Sequence, residues 1–153
     1  MIALLQRVRH AECAVDGETV SRCGEGLLIL LGVKVGDEEE DGRVLSEKIA
    51  KLRIFSDENG KMNRSVLDVV GQALVISQFT LLADYTHGNR PDYLQSEKPD
   101  RARALYEDFA ARLSALLGQG RVETGVFGAD MQISLTNDGP VTIVMDSALL
   151  RRR

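Results

Sequence analysis

Apolar and polar positions along the chain fall into short runs and helical repeats that predict mostly strands with two long helices. Residues 2–8 read as a strand. Cys13-Ala14-Val15 and Thr19-Val20 read as the arms of a hairpin around Asp16-Gly17, a pair suited to the positive φ of a two-residue turn. Gly26 opens the run Leu27-Leu28-Ile29-Leu30-Leu31, and a strand apolar at every position must be covered on both faces. Asp37 with Glu40 three positions on resembles a capping box with Asp37 as the cap. The helix behind it sets Leu45, Ile49 and Leu52 on one face, and Gly42 weakens its first turns. Asp57-Glu58-Asn59-Gly60 predicts a turn between Arg53-Ile54-Phe55 and Lys61-Met62-Asn63, and a further strand is expected through 73–79.

Residues 84–98 form a long polar stretch containing Pro91, and a loop of that length in a compact domain is functional or disordered. Pro99 then sits where a first helical residue should. The helix it opens carries Ala102, Leu105, Tyr106, Phe109, Leu113, Leu116 and Leu117 on one face and stops at Gly118. Strands are expected near 121–127, 131–136 and 141–146. With about eight strands, two separated helices and no repeat or linker, the pattern predicts one α/β domain over 1–153 with mixed, mostly antiparallel strands. Two helices are too few to cover two sheet faces. Sheet packed on sheet, or a second copy of the chain, must bury the rest.

Composition narrows the function classes. A chain of 153 residues with 44% hydrophobic and 27% charged residues can build a core without disulfides. Aromatics make up 5% and Trp is absent, so that core must come from Leu, Val, Ile and Ala. No apolar run is long enough to span a bilayer. Met1–Arg7 lacks a basic segment followed by a long apolar one, so a cytoplasmic protein without a secretory signal is expected. Cys13 and Cys23 fit no metal or redox spacing and read as half-buried structural thiols. The net charge of −4 argues against broad binding to phosphate backbones but allows a local basic patch. Arg151-Arg152-Arg153 is either a solvated terminus or a loose electrostatic arm for RNA.

The usual nucleophile and metal signatures are missing. Ser77 is not in a Gly-x-Ser-x-Gly elbow, and there is neither a phosphate loop nor a His-Glu-x-x-His. Nothing places His10, after the first strand, or His87, in the long loop, beside a nucleophile. Two segments carry chemical interest. Ser77-Gln78-Phe79-Thr80 ends an apolar strand, where free backbone N–H groups can hold an oxyanion; its plainer reading is a strand finishing in polar residues. Asn137-Asp138-Gly139-Pro140 lies between two strands and reads as a tight β-connection whose Gly-Pro is a rigid corner.

At these residues a resemblance emerges. Gln6-Arg7-Val8, Leu52-Arg53-Ile54-Phe55, Gly60-Lys61-Met62-Asn63, Ser77-Gln78-Phe79-Thr80-Leu81, Gly88-x-Arg90-Pro91, the stretch Glu123 to Met131 and Asn137 to Thr142 together resemble the D-aminoacyl-tRNA deacylase family over essentially the whole chain. The resemblance implies a three-layer α/β/β domain in a homodimer with its active site at the subunit interface. Ser77, Gln78, Phe79 and Thr80 would come from one subunit. Gly139 and Pro140, joined by a cis peptide, would enter from the other as a chiral filter. The implied reaction is hydrolysis of the ester between a D-amino acid, or glycine, and the terminal adenosine of tRNA, with L-amino acids excluded and no cofactor or metal.

Within that resemblance, Phe79 and Thr80 N–H groups would stabilise the oxyanion. The base would be the substrate's own 2′-OH, or else Thr80 would act as a covalent nucleophile. Arg7 is expected to brace the Gly139-Pro140 corner through its carbonyls. Phe127, Ala129 and Met131 are candidate walls for the adenosine, and His87 and Arg90 candidate tRNA contacts. Here His87 precedes Gly88 and Asp92-Tyr93 follow Pro91, where the family commonly has a basic residue and Ser-Phe; Asp92 beside Arg90 weakens the local positive field. Two rivals stand beside this reading, a nucleic-acid-binding module without hydrolysis and a hydrolase of small D-aminoacyl esters.

Overall fold

The computed structural model describes residues 1–151. Its first strand, β1 (Ile2–Val15), runs unbroken where two strands with a gap were expected, so His10 lies within it. The hairpin turn falls where Asp-Gly predicted it, with Asp16 at φ 52° and Gly17 at φ 79°, and leads into β2 (Glu18–Cys23). β3 (Gly26–Gly32) lies antiparallel to the first half of β1. β6 (Gln72–Ser77) is parallel to β3, and β7 (Val122–Thr124) parallel to β6. A small hairpin, β4 (Phe55–Ser56) with β5 (Met62–Arg64), stands apart around the expected 57–60 turn.

Alternation along β3 and β6 divides two cores. Leu27, Ile29, Leu31, Ala73 and Val75 face one way, toward α1 (Glu39–Lys51) and α2 (Pro99–Leu117). Leu28, Leu74 and Ile76 face the other way, where they meet Val8, Ala11 and Cys13 of β1 and Cys23 of β2. The second half of β1 thus curls over the central strands as another sheet layer. That gives the three-layer α/β/β arrangement and covers the apolar β3 run on both faces. Both cysteines are fully buried, more than expected, and are free thiols. Burial pushes the Cys13 thiol up and takes that of Cys23 to about 11, so both stay protonated and packed.

Three local expectations shift. The α1 cap is Glu38 with Asp41, one residue beyond the expected Asp37–Glu40 pair. Asp37 is drawn elsewhere, because its carboxylate accepts Lys34 N–H at 2.6 Å and pairs with the Met1 ammonium at 2.8 Å. Leu52 caps α1 at its C-terminus, just beyond the helix, and packs partly buried against the same core as Leu45 and Ile49. α3 (Ser147–Arg151) brings the Ser147 hydroxyl to Asp41 at 2.8 Å and Arg151 to the same carboxylate at 2.9 Å. Burial works against the Asp41 charge. The Glu38 N–H, the Ser147 hydroxyl, the Met1 ammonium and Arg151 outweigh it and hold the carboxyl below its usual range. Arg151 is therefore pinned and not a loose arm; Arg152 and Arg153 lie outside the described residues.

The larger correction concerns the C-terminal strand. β8 (Gln132–Asp146) is one strand, not two joined by a turn, and pairs antiparallel with β1 over almost its whole length. Its register reads Gln6 to Thr142 and then Val8 to Asn137. Residues 138–141 therefore bulge out opposite Arg7 alone. A bulge re-aims the chain while pairing resumes on both sides.

Candidate active site

The expected strand 73–79 stops at Ser77, and Phe79–Leu82 turn into a 3₁₀ segment. Among the described residues, neither Phe79 N–H nor Thr80 N–H finds an acceptor, as expected for the first donors of a helical turn without a side-chain cap. The Gln78 side-chain amide donates to the Thr80 hydroxyl. No imidazole, amine or carboxylate of the described residues bonds that hydroxyl.

Ser77, Gln78 and Phe79 line a cleft of about 650 Å³. Its opposite wall is the loop after β7, with Phe127, Ala129, Asp130 and Met131, which was expected to be strand up to residue 127. Phe127 is held from two sides. The Tyr106 ring lies 5.8 Å away, and the Arg103 guanidinium sits 5.1 Å from the Phe127 ring centre. Tyr106 itself is fixed by donating its hydroxyl to the Val75 carbonyl at 2.7 Å, and burial pushes its pKa up to about 12. The cleft is completed by residues the sequence reading did not single out, Tyr93 and Lys98 among them. Tyr93 meets Phe79 edge-on with ring centres 5.0 Å apart. Aromatic side chains near a polar strand end were the available signal, but only the chain path through 84–98 brings Tyr93 to Phe79.

That long loop is ordered. Asp84 and Asp92 exchange both backbone hydrogen bonds at 2.9 Å, and Val35 N–H and Glu97 N–H tie its far end to Gln95 and Val33 carbonyls. His87 and Arg90 sit in the exposed tip between Asp84 and Asp92, and neither lines the cleft.

The Gly139–Pro140 corner is at another place. Its peptide is cis, its two residues are exposed, and it does not line the cleft of its own chain. The bulge is pinned from beneath. Arg7, with its side chain 12% exposed, donates to the Asp138 carbonyl and to the Ile54 carbonyl, each at 2.8 Å. Arg7 thus reaches the bulge through the Asp138 carbonyl, whereas the sequence predicts bonds to the Gly139-Pro140 carbonyls. Asn137 clamps across the bulge by accepting Val141 N–H at 2.9 Å and donating to the Val141 carbonyl at 3.2 Å. Its role was hidden in the sequence, where Asn-Asp-Gly reads as a turn. Gly139 has φ 148°, and a Cβ there would lie 2.8 Å from Val141 N, so the bulge itself demands glycine. Among the described residues, no three of His, Cys, Asp or Glu converge into a metal-binding group.

The model of the family described as D-Tyr-tRNA(Tyr) deacylase matches residues 4–146. A D-aminoacyl-tRNA deacylase of Thermomicrobium roseum is 55% identical over 99% of this chain and 97% of its own. One of Ruegeria pomeroyi is 56% identical over 95% and 99%. Among solved structures, the c-Myc DNA Unwinding Element Binding Protein superposes with a TM-score of 0.91 at 37% identity, covering 95% of this chain and 98% of its own. A probable eukaryotic D-amino acid tRNA deacylase, 17% identical with a TM-score of 0.83, shares the fold. Fold and sequence together define a tRNA-editing hydrolase. The chain belongs to the D-Tyr-tRNA(Tyr) deacylase family.

Proposed function

We propose that the protein hydrolyses the ester joining a D-amino acid, or glycine, to the 3′-terminal adenosine of tRNA, and that it works as a homodimer. The observation that carries this reading is the strand end itself. Phe79, which lines the cleft, and Thr80, the next residue and outside the lining, have backbone N–H groups without acceptors among the described residues, and the lining holds no hydrogen-bonded nucleophile–base pair. An aminoacyl ester is an activated acyl group, so a placed water and oxyanion donors suffice, each donor contributing about 10²–10³ in rate. Phe79 and Thr80 N–H would receive the developing oxyanion. The Thr80 hydroxyl oxygen already accepts the Gln78 amide, which makes it a poorer nucleophile and favours the substrate 2′-OH as the group that orients the attacking water, takes up its proton and passes its own to the leaving 3′ oxygen. The adenosine would lie between the cleft walls at Phe127, Ala129 and Met131.

In this reading the exposed Gly139-Pro140 corner enters the cleft of a second copy. Its carbonyls occupy the space an L side chain would need, which rejects L-amino acids by backbone alone and tolerates any D side chain. The pinned bulge supports that role, since steric exclusion needs a corner that does not yield. The proposed exclusion leaves glycine acceptable, as it has no side chain to reject. His87 and Arg90, exposed in the loop tip, would meet the tRNA body. A cytoplasmic location follows from such a substrate.

The test is release of amino acid from matched D- and L-tyrosyl-tRNA. Rapid loss of the D form with the L form spared is expected, and equal rates would end the chiral-filter reading. A second reading, nucleic-acid binding without hydrolysis, is favoured by the name of the DNA-unwinding-element relative. Tight tRNA binding with both esters intact would select it.

A further inference from the structure

We propose that Arg103 and Lys98 form a phosphodiester subsite at the rim of the cleft, taking the phosphate that joins the terminal nucleoside to the preceding nucleotide. The proposal rests on the deacylase reading above. It starts from how this acidic chain uses its cations. Arg43, Arg64, Arg101, Arg112 and Arg151 each lie within 4.0 Å of a carboxylate. Arg103 and Lys98 have no such partner among the described residues, a state they share with Arg22, Arg53, Arg90, Arg121 and the other lysines, and both are exposed on or at the start of α2 beside the cleft.

Both flank the cleft. Lys98 lines it directly, and Arg103 lies over the Phe127 ring that forms its wall. Stacking fixes the guanidinium plane while leaving most of its N–H donors outward, since its one protein hydrogen bond is a long 3.4 Å contact to the Phe127 carbonyl. Of the nearby acids, Glu97 accepts Lys98 backbone N–H at 2.8 Å and lies 3.7 Å from Arg101, while Asp100 and Glu107 of α2 do not come within 4.0 Å of Arg103. The other carboxylate lining the cleft, Asp130, belongs to the same loop as Phe127 and pairs with neither cation within 4.0 Å. Arg103 and Lys98 are thus two cations without a carboxylate within 4.0 Å among the described residues, one on the Phe127 ring and one in the cleft lining. A nucleoside seated against Phe127 carries its 5′ phosphate on the same ribose, and the guanidinium on that ring offers the phosphate its outward N–H donors.

The experiment compares D-tyrosyl-tRNA with D-tyrosyl-adenosine, the same ester without any phosphate, for wild type, Arg103→Gln and Lys98→Gln across a salt series. Glutamine keeps a planar amide on Phe127 and removes only the charge. For Arg103→Gln, kcat/KM on the tRNA substrate should fall about tenfold, chiefly through KM, with a salt dependence shallower by about one unit of slope. Lys98→Gln should do the same more weakly. The adenosine ester should change less than about twofold. Equal losses on both substrates would show that Arg103 merely holds Phe127 and would overturn the subsite, as would an unchanged rate on tRNA. Wild type inert on both substrates would instead refute the deacylase reading, and the subsite with it.

Discussion

The 137–142 bulge and the 77–80 strand end are built on opposite principles. In the bulge the flanks are engaged while Gly139 and Pro140 stay exposed: Arg7 holds the Asp138 and Ile54 carbonyls, Asn137 spans to both backbone groups of Val141, and Val141 itself is buried. At the strand end, among the described residues, two backbone donors are left open, Phe79 is 54% exposed, and the one local side-chain bond is Gln78 to Thr80. A segment that must exclude something is best made rigid. A segment that must stabilise a charge absent from the resting protein is best left with donors unspent.

Gly139→Ala tests the rigid side and should have the largest effect. The added Cβ meets Val141 N at 2.8 Å, and φ 148° is strained for any L side chain. The corner must move, and a displacement near 1 Å typically costs on the order of 10² in rate. Single-turnover hydrolysis of D-tyrosyl-tRNA reads that loss, with a stability cost of about 1–3 kcal/mol expected in denaturant titration. Full activity would separate the bulge from the site. Arg7→Gln comes next. It leaves the Asp138 and Ile54 carbonyls without their donor, at about 1–3 kcal/mol, and it should loosen the corner without filling it. The expected signature is a smaller rate loss, about tenfold, with a reduced D-over-L ratio. An unchanged ratio would mean that the brace does not serve selectivity.

The same contrast explains what the sequence discloses. The helix α2 was legible end to end because Pro99, the apolar stripe and Gly118 are local signals. The both-faces burial of β3 was legible because every position is apolar. The bulge was not, because Asn137-Asp138-Gly139-Pro140 carries turn chemistry, and only pairing with β1, over a hundred residues earlier, keeps it inside one strand. The α1 cap slipped by one residue for a related reason, since Asp37 is claimed by Met1 across the fold. At the site, the motif segments 77–80 and 139–140 were visible as segments. Tyr93, Lys98 and Arg103 were not, because a loop and a helix start reach the cleft only in three dimensions.

Thr80→Ala probes the open side. If the backbone N–H does the work, alanine keeps it and loses only the hydroxyl that Gln78 binds, so kcat on D-tyrosyl-tRNA should stay within about tenfold of wild type. Loss to the uncatalysed rate, or a trapped acyl-enzyme in the wild type, would move Thr80 to the nucleophile role.

Gly42→Ala supplies the smallest effect and sharpens the first. Both glycines sit in tight places, but they differ in kind. Gly42 lies inside α1 with ordinary helical φ, buried against α2, and a Cβ there would meet Asp108, Met1 and Phe109 side chains at 3.6, 3.7 and 3.8 Å, which is normal contact. The methyl group fills without displacing, and alanine is favoured over glycine in a helix by about 0.8–1.0 kcal/mol. Chemical denaturation should therefore show stabilisation of roughly 0.5–1 kcal/mol, with hydrolysis of D-tyrosyl-tRNA unchanged. If Gly42→Ala instead destabilised as much as Gly139→Ala, crowding alone would account for both, and the Gly139 result would say nothing about a corner held rigid for selectivity.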